Sequence, residues 1–170
     1  MNFKKCVKSF IFILLLVFSC FLFACQKSAD GGLKCSLSVT CETAVGKITD
    51  EQIVPENAVI YSNENVVFSD GDSVFDVLLR EMKENGIHME FVNTPVYNSA
   101  YVEGINNLYE FDCGELSGWM YKVNGSFPNY GCSLYKIKDG DVIEWVYTCD
   151  LGKDVGGDNS ARNGMKNEDE

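Results

Sequence analysis

Asp70-Gly71-Asp72-Ser73-Val74-Phe75-Asp76-Val77-Leu78-Leu79-Arg80-Glu81-Met82-Lys83-Glu84-Asn85-Gly86 decides the fold, because it carries a clear helical period in a chain whose other segments alternate. Ser73 stands where an N-cap hydroxyl accepts from the backbone. Asp76, three residues on, takes the capping-box position near the positive end of the helix. Val74, Leu78 and Met82 share one stripe, which Phe75 and Leu79 widen. The same period sends Arg80, Glu81, Lys83 and Glu84 to water, and Gly86 offers the left-handed residue that ends a helix.

A lone helix with one apolar stripe must cover a sheet. Leu33-Lys34-Cys35-Ser36-Leu37-Ser38-Val39-Thr40-Cys41 alternates, with Cys35, Leu37, Val39 and Cys41 on one face, which reads as a half-buried strand. Gly46 to Asn57 reads as a polar connection. Ala58–Tyr61 and Asn65–Phe68 read as two short strands joined by a turn at Ser62-Asn63-Glu64. After the helix, His88–Val92 is expected as a strand, Asn93 to Asn107 as an irregular stretch, and Leu108–Asp112 as a short strand. Gly118-Trp119-Met120-Tyr121-Lys122-Val123 ends in Asn124-Gly125, a hairpin signal. Phe127 to Cys132 follows as an aromatic loop, and Asp139-Gly140-Asp141 as a tight turn. Val142 to Cys149 closes the set, with Ile143, Trp145, Tyr147 and Cys149 on one face. One helix among five or six strands defines a small α+β domain, one helix packed on a mostly β sheet, and a β-grasp-like arrangement is expected.

The motifs Ser117-Gly118-Trp119-Met120-Tyr121-Lys122-Val123-Asn124-Gly125, Pro128-Asn129-Tyr130-Gly131 and Lys138-Asp139-Gly140-Asp141-Val142-Ile143-Glu144-Trp145 together resemble the transcobalamin-like C-terminal domain family. Asp72 to Leu78 resembles that family's helix start. The resemblance runs from about Leu33 to Gly152. These are small bacterial surface domains, similar to the β-domain that closes over vitamin B12 in transcobalamin and intrinsic factor. The resemblance implies the fold and places Gly125 to Tyr135 at the family's ligand-side hairpin and loop. It makes cobalamin a candidate ligand, although in the vitamin carriers a large helical barrel completes the pocket and this sequence shows no barrel.

Both ends of the chain read differently. Lys4, Lys5 and Lys8 precede an apolar run from Phe10 to Ala24, the layout of an export signal over residues 1–24. The run is shorter than the roughly 20 apolar residues that span a bilayer. Leu22-Phe23-Ala24-Cys25 resembles a lipobox, which makes Cys25 the lipid-attachment residue; Cys20 is a second candidate. Residues 25–32 then form a polar tether, 33–152 the domain, and 153–170 an acidic tail expected to be disordered. These features place the protein at the outer face of the cell membrane, held by lipid.

Composition narrows the partners. The net charge of −11 at pH 7 becomes still more negative once three leader lysines are removed. Such a surface repels nucleic acid and anionic lipid, so no nucleic-acid partner is expected. Cys35, Cys41, Cys113, Cys132 and Cys149 are the disulfide candidates, an odd number. Cys35 and Cys41 are too far apart along a straight strand to bond each other. The single His88 and the lack of a close cysteine pair in sequence argue against zinc. Asp70, Asp72, Asp139 and Asp141 flank glycines and read as turn residues rather than a calcium loop.

No nucleophile and general base can be paired, so no enzyme and no required cofactor is expected. Aromatic residues are the sharper signal. Trp119, Tyr121, Trp145 and Tyr147 are assigned to the core. Phe127, Asn129, Tyr130 and Ser133 are the candidate contact residues, on a loop bounded by Gly125 and Gly131. Two functions fit: capture of a small molecule such as a corrinoid for a membrane transporter, or docking of another envelope protein by a cell-surface adaptor.

Overall fold

The computed structural model describes residues 32–95 and 98–157. The expected leader, Cys25 and most of the acidic tail lie outside the described residues. Seven strands and one α-helix follow in chain order: β1 Leu33–Thr40, β2 Val59–Phe68, α1 Val74–Glu84, β3 Met89–Thr94, β4 Ser99–Ile105, β5 Leu108–Tyr109, β6 Gly118–Val123 and β7 Val142–Thr148. The main sheet has the order β2-β1-β7-β6. Its central pair, β1 and β7, runs parallel, and the outer strands pair antiparallel. This is the β-grasp order, and the domain is a small α+β fold. A second antiparallel sheet has the order β3-β4-β5.

The alternation read in β1 sets the core. Cys35, Leu37 and Val39 are buried, as is Cys41 just past the strand end. They share one cluster with Val74, Val77, Leu78 and Met82 of α1 and with Ile143, Trp145 and Tyr147 of β7. Each such side chain removed from water contributes about 1.5–3 kcal/mol before the cost of ordering the chain. The helix ends are satisfied locally. Ser73 and Asp76 form a reciprocal capping box. At the other end Gly86 has φ +67°, its amide donates to Lys83, and the Ile87 amide donates to Met82, a Schellman closure.

Several sequence expectations change. β2 is one strand of ten residues, not two; irregular register opposite β1 absorbs Glu64 and Asn65, and the Asn65 amide donates to Asn63 Oδ1. Part of the stretch expected to be irregular, Asn93 to Asn107, forms β4. That strand is rich in small residues because neighbours press on it: a Cβ on Gly104 would lie 2.6 Å from the Tyr109 ring. Glu81 does not face water. It is buried, and its carboxylate accepts from the Tyr61 hydroxyl. Finally, order runs past Gly152: Lys153–Val155 form a 3-10 turn, tied down because Asp154 accepts from the Thr148 hydroxyl and from the Cys149 amide at 2.8 Å.

The Asn124-Gly125 turn forms, with φ of +53° and +75° and reciprocal backbone bonds between Val123 and Ser126. It does not start a hairpin ladder, however. β6 pairs instead with β7, and the chain between them makes a long excursion through residues 126–141. Asn124 ties the turn to that later strand, accepting from the Val142 amide at 2.9 Å and donating to Asp141 Oδ1 at 2.9 Å.

Candidate functional site

The excursion between β6 and β7 is the aromatic loop, and it is clamped on two sides. Two amides in the first turn of α1 donate to it, Val74 to the Tyr135 carbonyl at 3.1 Å and Phe75 to the Cys132 carbonyl at 3.2 Å. These amides are among those a helix leaves without an internal partner, so the loop completes the helix start. Ser133 bonds β4, with its Oγ 2.9 Å from Ser99 Oγ and accepting from the Ala100 amide at 3.0 Å. Gly131 presses against the same place, where a Cβ would fall 1.9 Å from Ser99 Oγ. Cys132 is buried, and its thiol donates to the Ala100 carbonyl at 3.4 Å.

Above this clamp the loop presents rings. Tyr130 is 54% exposed and stacks on Tyr135, centroids 5.6 Å apart and planes at 13°. Tyr135 meets Tyr121 edge-on at 6.4 Å, and Tyr121 packs on Trp145 at 5.6 Å. The Tyr121 hydroxyl donates to the Tyr130 carbonyl at 2.5 Å. A continuous run of rings therefore leads from the core to the surface. Burial raises the Tyr121 phenol well above its ordinary range, so it stays a donor. Phe127 is half-buried beneath the Lys122 ammonium, 5.1 Å from its centroid. Asn129 is exposed.

Of the four expected contact residues, Asn129 and Tyr130 are thus presented to solvent and Phe127 lies beneath a cation. Ser133 holds the loop in place and also lines a cavity of about 170 Å3 with Asn93, Thr94 and Asn98. Tyr135 completes the stack, while Lys122 covers Phe127. Neither was legible from alternation, since stacking and cation contact depend on how the excursion folds back. Trp119, Trp145 and Tyr147 are buried as expected, and Tyr121 is half-buried. His88 is exposed beside Tyr109 and Glu90. Asp72 accepts from the Ser69 amide and pairs with Arg80, while Asp139 and Asp141 accept from the Lys34 and Lys138 amides, so these carboxylates serve turns. All five cysteines among the described residues are thiols.

A second surface was not visible in the sequence. Phe111, Leu116 and Leu151 are exposed around a groove of about 290 Å3 beside Tyr101 and Met120. Phe111 is 61% exposed and Leu151 66% exposed. Both adopt left-handed backbone conformations, φ +70° and +48°, which bulky side chains rarely do.

The fold and this loop define a small β-grasp-like domain that presents an aromatic face. A family described as a domain of unknown function (DUF4430) has a model that matches residues 71–149, from the turn before α1 to the end of β7. No curated protein matches the chain. Among solved structures, haptocorrin in complex with Cbi is similar at 17% identity and a TM-score of 0.48, over 75% of this chain. This chain covers 29% of the haptocorrin chain. A structure described as "a putative metal binding protein from Ruminococcus gnavus ATCC 29149" is similar at 16% identity and a TM-score of 0.43, over 68% of this chain and 96% of that one. Both likenesses are too distant to transfer a ligand or an activity.

Proposed function

We propose that this chain is a lipid-anchored extracellular binding module, not an enzyme, whose loop from Phe127 to Tyr135 takes a planar, partly apolar small molecule and passes it to a membrane transporter. The observation that carries this reading is the stacked Tyr130–Tyr135 pair, exposed at the tip of a loop fixed to both α1 and β4. A rigid aromatic face loses little entropy on binding a flat ligand. Asn129, exposed and next to Tyr130 in the chain, offers an amide suited to the polar edge of such a molecule. The sequence resemblance supplies a corrinoid as the candidate ligand. An open face of this kind would act as one wall of a binding site, and a partner chain would supply the other.

The test is calorimetric titration of the full-length protein in detergent with cyanocobalamin and cobinamide. Binding near micromolar, about −8 kcal/mol, weakened at least tenfold by Tyr130→Ala, supports the reading. Absence of both heat and a change in the visible corrinoid spectrum overturns it.

A second reading, an adaptor that docks another envelope protein, is favoured by the Phe111, Leu116 and Leu151 surface. Exposed apolar groups grouped around a groove mark interaction sites. Crosslinking in intact cells, lost in a Phe111→Ser, Leu151→Ser variant but kept in Tyr130→Ala, would select this reading over the first.

A further inference from the structure

Five thiols remain in the described domain, and their surroundings divide them. Cys35, Cys41 and Cys132 are buried, at 2%, 0% and 4% exposure. Cys41 and Cys132 spend their thiols on carbonyls, those of Ala58 and Ala100. Cys113 and Cys149 differ, being only partly covered. They also lie together. The β6–β7 register pairs Gly118 with Thr148, so one step further along sets Ser117 opposite Cys149. Ser117 Oγ accepts from the Cys113 amide at 3.1 Å, which folds the 113–117 turn back over that end of β7. Burial, and after it the neighbouring Cys149 side chain, push the Cys113 thiol up to about 11, and Cys149 likewise raises Lys47. On its other side the Cys149 thiol donates to the Thr43 carbonyl at 3.3 Å.

We propose that Cys113 and Cys149 form the one disulfide of this domain, leaving Cys35, Cys41 and Cys132 as permanent core thiols. The odd cysteine count then needs no second chain. Cys149, less enclosed than the core thiols, acts as the attacking thiolate. It attacks one sulfur of a small-molecule or protein disulfide, forming a mixed disulfide and expelling one thiolate. The Cys113 thiolate then attacks the Cys149 sulfur and expels the second. Two protons pass to the two released thiolates, two electrons reduce the donor disulfide, and one Cys113–Cys149 bond forms. The bond staples the turn carrying Phe111 and Leu116 to the end of the central strand β7.

The experiment needs no assumption about location. The full-length protein, reduced and then incubated with oxidised glutathione, is blocked with a maleimide, digested without reductant and mapped by mass spectrometry. The expected result is one predominant crosslinked peptide pair joining Cys113 to Cys149, with Cys35, Cys41 and Cys132 alkylated only after denaturation. As a second measure, Cys113→Ser should leave Cys149 as a single glutathione adduct with no new crosslink. A predominant Cys41–Cys113 pair, or stable glutathione adducts on both Cys113 and Cys149 of the unmutated chain, overturns the proposal.

Discussion

The Phe75 amide donates to the Cys132 carbonyl at 3.2 Å, so the start of the helix and a loop more than fifty residues later form one hydrogen-bonded unit. The capping box satisfies the next amide along, that of Asp76. What the loop presents to solvent is therefore only as firm as this junction.

Gly131→Ala probes it directly. The new methyl would collide with the Ser99 side chain, which already bonds Ser133. A loss of about 1–3 kcal/mol is expected, the usual range for overpacking. Urea titration measures it. Adding Ser99→Gly should recover part of the loss, because the two positions share one space.

Ser73→Ala removes the N-cap hydroxyl that accepts from the Asp76 amide at 3.2 Å. The expected loss is about 1 kcal/mol. Ser73→Thr keeps the oxygen and should restore most of it, which separates the cap from packing at this buried position.

The two tryptophans should respond unequally to loss of their ring nitrogen. Trp119 Nε1 donates to the Leu108 carbonyl at 2.9 Å, whereas Trp145 Nε1 is buried with no hydrogen-bond partner among the described residues. Trp119→Phe strands a carbonyl and Trp145→Phe does not. Trp119→Phe is expected to be the more destabilising by about 1 kcal/mol, read from paired denaturation curves.

Alkali should unfold the reduced protein. Burial pushes the thiols of Cys35, Cys41, Cys113 and Cys132 up from 9.0 to about 11. Burial, with the neighbouring carboxylate of Glu110, pushes Tyr101 up to about 12, and burial pushes Tyr147 up to about 12. Each raised group holds its proton longer folded than unfolded. The stabilisation is complete below the unfolded values and is lost as pH rises through the folded ones. Stability should fall from about pH 9 upward, and Cys35→Ala should flatten the first part of that slope. Denaturation midpoints between pH 8 and 11 check it.

The parts of the fold that could be read from sequence are those buried on one side. β1 and β7 alternate because one face meets α1 and the other does not, and the helix announces itself by stripe and cap. β4 was hidden because Ser99, Ala100 and Gly104 are small where the 131–133 segment and the Tyr109 ring lie close, which removes the branched residues that mark a strand. Glu81 was misplaced because a helical period says which face a residue is on, not that the Tyr61 hydroxyl waits there to donate to it. The site was half legible. The aromatic loop stood out by composition, but the turn of Ser133 toward β4 and the stacking of Tyr130 on Tyr135 depend on contacts across the chain. The Phe111 surface left no signal, since its residues read as an ordinary short strand until the backbone turns left-handed.

The parallel pairing of β1 with β7 has a kinetic consequence. The strand that begins the domain can find its central neighbour only when residues up to Thr148 are available, so no early fragment can assemble the core. A chain built this way completes its core in one late step, with the last strand of the domain as the piece that closes it.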